Sequence, residues 1–312
     1  SQYALLDYKH ISTLYPPLGQ LLFAFCIKTG GLINDSWQAP YFVWKIILLV
    51  FEAVGVYFAG RALRLLSLPL TGLMFYLLLP LPVIEFAGQA HIDGLTIAPL
   101  GILMYLCAQF FRSGQTVDSK SVTKFSVRIG LLTAGLFLIK ILPVVVVLPL
   151  LRLRVRTVVL LSTAAALSLL LSLPFFVQPE ALAQFISVLR FYSQTAQFNG
   201  VPLYVLLNLL EFSGVRQWWL IAPSVLSGIR AVVVLVCGFA VRATTIRSLF
   251  SFMLLSLTVI TLLSSKVHVW YFAPLLLLNV VVGWRWLPVF ASASLLTYAI
   301  YAGPVPKEAY QL

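Results

Sequence analysis

Glu85, Gln89, His91 and Asp93 lie within nine residues of one another, just after Pro80 and Pro82. Two carboxylates and an imidazole beside a helix break can do acid–base work on a hydroxyl. Glu85, His91 and Asp93 could equally hold a divalent metal. For Asp93 the rival reading is a helix cap, because Gly94-Leu95-Thr96 follows it. Lys140 ends an apolar arm broken only by Thr133. A lysine there either snorkels to the interface or answers an anion, and a phosphate suits it. In the run Ser264 to Tyr271, Lys266 and His268 could join Lys140 in a cationic cradle, while Trp270 and Tyr271 also read as an interfacial belt. The remaining polar candidates are Asp7, His10, Tyr15, Arg190 and Asn199.

These residues are embedded in a very apolar chain. Of 312 residues, 61% are hydrophobic and 10% charged, with a mean hydropathy of +1.00. Soluble domains run about 45–50% apolar and about 25% charged. A water-soluble enzyme, a disordered chain and a disulfide scaffold are excluded, which leaves a polytopic α-helical membrane protein. The net charge of +12 does not indicate nucleic acid, since the arginines fall in short clusters between apolar runs. Cys26, Cys107 and Cys237 lie inside such runs and form no paired motif.

Apolar runs fall near 17–33, 41–60, 66–84, 94–111, 129–151, 157–177, 225–241, 248–264, 270–284 and 288–303. The clusters Arg112 to Arg128 and Arg152 to Arg156 should share the cytoplasmic side, yet one run, 129–151, joins them. A break at Lys140 and Pro143 resolves the parity, with two half-helices of about 11 residues dipping in and returning. The same argument bends 66–111 at Pro80 and Pro82. Residues 17–33 become an outer re-entrant or interfacial helix, and 178–224 a long outer loop with a short apolar stretch from Pro202 to Leu210. With no internal repeat and no linker, residues 1–312 form a single transmembrane domain. Lys45 and Glu52, seven apart inside 41–60, are expected to snorkel or to find partners on other helices.

This folding gathers the ionisable residues on the outer face. Such groups at membrane depth mark functional sites, and irregular backbone there lines a cavity. The expected architecture is an all-α bundle with broken half-helices and an outward-facing polar cavity.

Five segments resemble the GT-C membrane glycosyltransferases. They are Tyr15-Pro16-Pro17-Leu18; Leu79 to Gly94, with its Gln89-Ala90-His91-Ile92-Asp93-Gly94 end; Leu138 to Pro143 around Lys140; Arg190 to Gly200, ending Phe198-Asn199-Gly200; and Lys266 to Tyr271. The resemblance implies transfer of a hexose, mannose or glucose, from a polyprenyl-phosphate carrier. It further implies inversion, a glycan or lipid acceptor, and a site on the extracytoplasmic face of a bacterial plasma membrane or ER-type membrane. Glu85, Asp93 and Asp7 become the catalytic candidates. His10, Tyr15, Gln89, His91, Lys140, Arg190, Asn199, Lys266, His268 and Tyr271 become the substrate-binding ones. The pattern requires no cofactor, though Glu85, His91 and Asp93 could hold a divalent metal. The family's usual catalytic Asp precedes the Tyr-Pro-Pro-Leu segment on a first helix. The chain is therefore expected to lack its N-terminal part, or to work with a partner chain that supplies it. A secondary transporter and a noncatalytic membrane subunit are the competing readings. Against transport, the breaks at 80–82 and 140–143 do not occupy corresponding halves.

Overall fold

The computed structural model describes residues 15–113, 118–153, 155–177, 179–194, 200–239 and 245–298. All regular elements among them are helices. Five are long and apolar enough to cross a membrane: Gln38–Leu65, Ile92–Arg112, Ser119–Ile139, Thr157–Phe176 and Ile221–Phe239. The pair Thr71–Leu78 and Pro80–Gly88, bent by 47°, makes a sixth if it is one broken span. The chain is an integral membrane protein of the helical type.

Pro16 and Pro17 open α1 (Pro17–Ile33), where a proline lacks only an N–H that has no helical partner anyway. It lies against α2 (Gln38–Leu65). Next come α3 (Thr71–Leu78), the single turn α4 (Pro80–Pro82), a π-helical turn Val83–Gly88 and a 3-10 turn Ile92–Thr96 leading into α5 (Ile97–Arg112). α2 and α5 approach until their backbones touch. A Cβ on Gly101 would stand 2.1 Å from the Gly55 carbonyl oxygen, and one on Gly55 would stand 2.3 Å from that of Ile97. Small residues permit such close crossings where lipid supplies no hydrophobic drive between helices.

α6 (Ser119–Ile139) starts under the Asp118 carboxylate, which accepts from the Ser121 N–H at 3.0 Å. Lys140 breaks it with extended backbone, and Leu142–Arg152 returns as a 3-10 helix containing Pro143 and Pro149. The break is where the sequence puts it, but the arms are unequal. The first arm is a 21-residue α-helix rather than about 11 residues. The 11-residue return arm reaches about 22 Å, because a 3-10 helix rises about 2.0 Å per residue.

α7 (Thr157–Phe176) packs on α6 and turns most of its surface outward. Residues 178–224 are not a long loop: α8 (Pro179–Gln194) and α9 (Val201–Phe212) occupy most of the segment. α9 absorbs the Pro202–Leu210 stretch because its leucines close against the next helix. Leu203 and Leu207 pack on Ala222 and Leu226 of α10 (Trp218–Phe239). α11 (Ile246–Leu262) and α12 (Phe272–Val282) follow, then α13 (Trp286–Ser294) and a last 3-10 turn, Leu295–Tyr298. α12 is buried along nearly its whole length and forms the centre of the bundle, with α5, α3 and α11 around it.

Glu52, on α2, meets a partner on another helix, accepting from the Tyr76 hydroxyl at 3.4 Å. Lys45 stays local, its ammonium 4.8 Å from the Tyr41 ring centroid.

Candidate functional site

The site is assembled where helix ends meet. α11 has 17 residues and the helix Val269–Val282 only 14, whereas a full crossing takes about 20. The turn joining them, 263–268, closes this short pair. α6 ends beside it with Lys140, and the break between α3 and α5 supplies the opposite wall.

Local sequence dictates that break. Leu79 precedes Pro80 and is extended, as a residue before proline prefers. Pro80 and Pro82 start a turn that widens into the π-helical stretch Val83–Gly88, a feature frequent at functional sites. The chain then reverses through Ala90, which has φ of +60°, costly for a residue with a Cβ. Two side chains of α2 hold it there. Trp44 Nε1 donates to the Ala90 carbonyl at 2.8 Å, and the Tyr41 hydroxyl donates to that of Gly88 at 3.3 Å. The His91 N–H returns to the Glu85 carbonyl at 2.9 Å, which fixes the spacing of the two side chains.

Two carboxylates face each other across this reversal with different engagements. Asp93 is almost fully buried and pairs with Lys140, Nζ to Oδ1 at 2.6 Å. Its other oxygen, Oδ2, is buried and has no hydrogen-bond partner. The Lys140 ammonium also stands 3.8 Å from the Tyr271 ring centroid, a cation–π contact. Glu85 is completely buried. The Tyr298 hydroxyl lies 2.8 and 3.0 Å from its two oxygens, and His91 Nε2 lies 3.4 Å from Oε2.

His91 and His268 both stack on Trp270, with ring centroids 3.6 and 4.2 Å away and interplanar angles of 18° and 7°. Two imidazoles at those distances on one face would overlap, so the indole lies between them. Tyr271 meets His268 edge-on at 5.3 Å. Burial, then the charge of Lys140, pushes the His91 imidazole down to about 4. Burial, then Lys140, Lys266 and His91, pushes His268 down to about 3. Burial lowers the Lys266 ammonium to about 8. At neutral pH the stack is uncharged, while Lys266 remains mostly protonated.

The 263–268 turn is held from two further sides. Arg230, in the middle of α10, donates through Nη1 to Ser264 Oγ at 3.1 Å. Gly200, at the start of α9, lies against the same turn, and a Cβ there would come within 2.6 Å of the Ser265 carbonyl oxygen.

The structure thus brings together Glu85, His91, Asp93, Lys140, Lys266, His268 and Tyr271. Gln89 is exposed on the reversal. Tyr15 is linked through its edge contact with Phe23 at 5.7 Å, and Phe23 lies 4.5 Å from Trp44. Arg190 is exposed on α8, which packs against α7 and α10 rather than the reversal. Asp7, His10 and Asn199 lie outside the described residues.

Three expectations change. Lys140 is not an open cation awaiting phosphate, because Asp93 already compensates it. Asp93 caps nothing: it lies inside the 3-10 turn, whose N-cap is His91, and its side chain turns to Lys140. Glu85, His91 and Asp93 do not form a metal site. Among the described residues no three His, Cys, Asp or Glu side chains converge as ligands, and the two carboxylates engage Tyr298 and Lys140 instead.

No family model, curated protein or solved structure matches the chain. Its chemistry has to be read from the site.

Sequence reasoning missed Tyr298, Trp44 and Arg230. Tyr298 is 213 residues from Glu85, and no spacing rule links them. Trp44 reads as one more aromatic in an apolar helix. Arg230 did carry a signal, as an arginine inside the apolar run 225–241.

Proposed function

We propose that this protein is a membrane-embedded glycosyltransferase of the GT-C kind, moving a hexose from a polyprenyl-phosphate carrier to a hydroxyl acceptor. The supporting observation is Asp93: buried, paired through Oδ1 with Lys140, and with Oδ2 unsatisfied. A buried acceptor oxygen without a partner calls for a donor, and an acceptor hydroxyl provides one. Lys140 favours the charged form of the carboxylate while leaving that oxygen for the incoming group. In the reaction the acceptor oxygen bonds to the anomeric carbon as the bond from that carbon to the phosphate oxygen breaks. The electron pair leaves with the polyprenyl phosphate, and the hydroxyl proton passes to Asp93. Attack opposite the leaving group inverts the anomeric centre.

The leaving phosphate gathers charge, and preorganised cations are what stabilise it. Lys266 and Arg230 supply positive charge at the 263–268 turn, and His91 and His268 take up protons as the anion arrives. Glu85 positions rather than reacts, since Tyr298 holds both its oxygens and it steadies His91. Tyr15 and Gln89 belong to the rim that closes on sugar and acceptor, and His10, Arg190 and Asn199 for substrate and Asp7 for catalysis are the remaining candidates of this reading. The sugar, the acceptor and the extracytoplasmic placement of the site are part of the same proposal.

The test is transfer of radiolabelled mannose or glucose from polyprenyl-phosphate donors in membranes, with this chain alone and with any upstream region of its gene. Transfer that disappears in Asp93→Asn, with the protein still folded in the membrane, supports the reading. If neither form transfers or binds the donor, the reading fails. The transport alternative, favoured by broken helices around a buried ion pair, predicts solute flux without a new glycosidic bond.

A further inference from the structure

The end of α6 opposite Lys140 carries a second concentration of charge. α6 has 21 residues, so its two ends stand about 30 Å apart at 1.5 Å per residue. Around its first turns lies a cavity of about 930 Å3, whose walls include Lys120, Lys124, Arg128 and Arg156 together with Asp118 and Ser119. Lys120, Lys124 and Arg128 are spaced four apart and share one face of the helix. All three are exposed. Arg156 precedes α7 and is tied across to α6 twice. Its backbone N–H donates to Ser126 Oγ at 2.9 Å, and its guanidinium donates to Ser119 Oγ.

This arrangement is unbalanced. Like charges four apart on a helix weaken it, and three stand in register here with a fourth fixed beside them. Asp118 is the acid in the wall, and its carboxylate accepts from the backbone N–H of Ser121. Among the described residues none of the four cations forms an ion pair. A cavity walled by four fixed positive charges and one engaged acid has the composition of an anion site.

We propose that this cavity binds the phosphate of an anionic lipid headgroup. The surface beside it favours a lipid over a free anion. One residue beyond Thr157, α7 begins an apolar face, with Val158, Leu161, Leu169, Leu170 and Leu173 exposed. α7 buries only Leu160 and Ala164. Acyl chains laid on that face bring their headgroup to Arg156. Basic pockets between membrane helices take anionic headgroups in this way. The site is separate from the proposed transfer site and does not depend on it.

The experiment is lipid titration of the delipidated, detergent-solubilised protein, read by native mass spectrometry. Phosphatidylglycerol is the probe and phosphatidylcholine the comparator. Wild type is compared with K124Q/R128Q and with a charge-matched pair at exposed positions elsewhere, K28Q/R216Q. Size-exclusion chromatography establishes that each variant is folded. Wild type is expected to prefer phosphatidylglycerol, and K124Q/R128Q to bind it about thirty-fold more weakly, the loss for two surface cations near a lipid phosphate. The control pair should bind as wild type does. Equal binding of the two lipids, no loss in K124Q/R128Q, or an equal loss in the control pair overturns the proposal. Complete displacement of the lipid by excess inorganic phosphate assigns the cavity to free phosphate and overturns the lipid assignment.

Discussion

Replacing Lys140 with methionine tests whether the site is built around an ion pair. Met matches the length of the lysine side chain and removes its charge. The side chains of Lys140 and Asp93 are only 17% and 3% exposed, and their charged atoms are 2.6 Å apart. Removing one partner of such a pair leaves a buried charge uncompensated, which costs about 3–5 kcal/mol. Loss of the ammonium over Tyr271 adds up to about 2 kcal/mol. A loss of this size lowers the melting temperature of a large domain by on the order of 10 °C. The companion variant is Lys140→Met/Asp93→Leu, in which both charges are gone and apolar groups of similar size replace them. Such exchanges are often neutral, so the double variant should recover most of the lost stability. The readout is thermal unfolding of the detergent-solubilised protein followed by tryptophan fluorescence. If the single variant melts with wild type, or the double variant falls by the sum of the two single losses, the pair is not coupled and the reasoning fails.

Acidification should destabilise the fold in a defined window. Folding holds His91 at about 4 and His268 at about 3, below their ordinary value near 6.5, so the unfolded chain binds more protons between those limits. Their contribution to stability therefore rises with pH across that range and is lost as pH falls from about 6.5 toward 3. It is read as the melting-temperature difference between wild type and His91→Asn/His268→Asn, and a difference that is flat from pH 7 to pH 4 would contradict this. On the alkaline side, loss of the Lys266 charge around pH 8 should weaken donor binding between pH 7 and 9, measured as a rise in KM. Tyr298→Phe removes the hydroxyl that meets both Glu85 oxygens and should cost about 1–3 kcal/mol in the same melting assay. Gly200→Ala drives a Cβ into the Ser265 carbonyl, so it should cost about 1–3 kcal/mol and lower transfer. Ala at Gly228, where a Cβ would meet nothing within 4 Å, should do neither.

The sequence by itself determined that this is a helical membrane protein and where its helices break. Apolar run length decides spanning, and charge parity demands the interruptions at Pro80 and Lys140; both are one-dimensional quantities. Glu85, His91, Asp93, Lys140, Lys266 and His268 were recognisable because ionisable groups in apolar surroundings stand out along the chain. Their relations were not recognisable. That Asp93 compensates Lys140, that Trp270 separates two imidazoles, and that Tyr298 closes over Glu85 depend on where the helix ends meet in space. The same holds for 178–224, where apolar stretches interrupted by prolines and polar residues read as loop until α10 offers Leu203 and Leu207 a surface to pack on. Packing partners at long sequence separation follow from tertiary geometry, and that geometry made a phosphate-binding lysine of the sequence into the counter-ion of a buried aspartate.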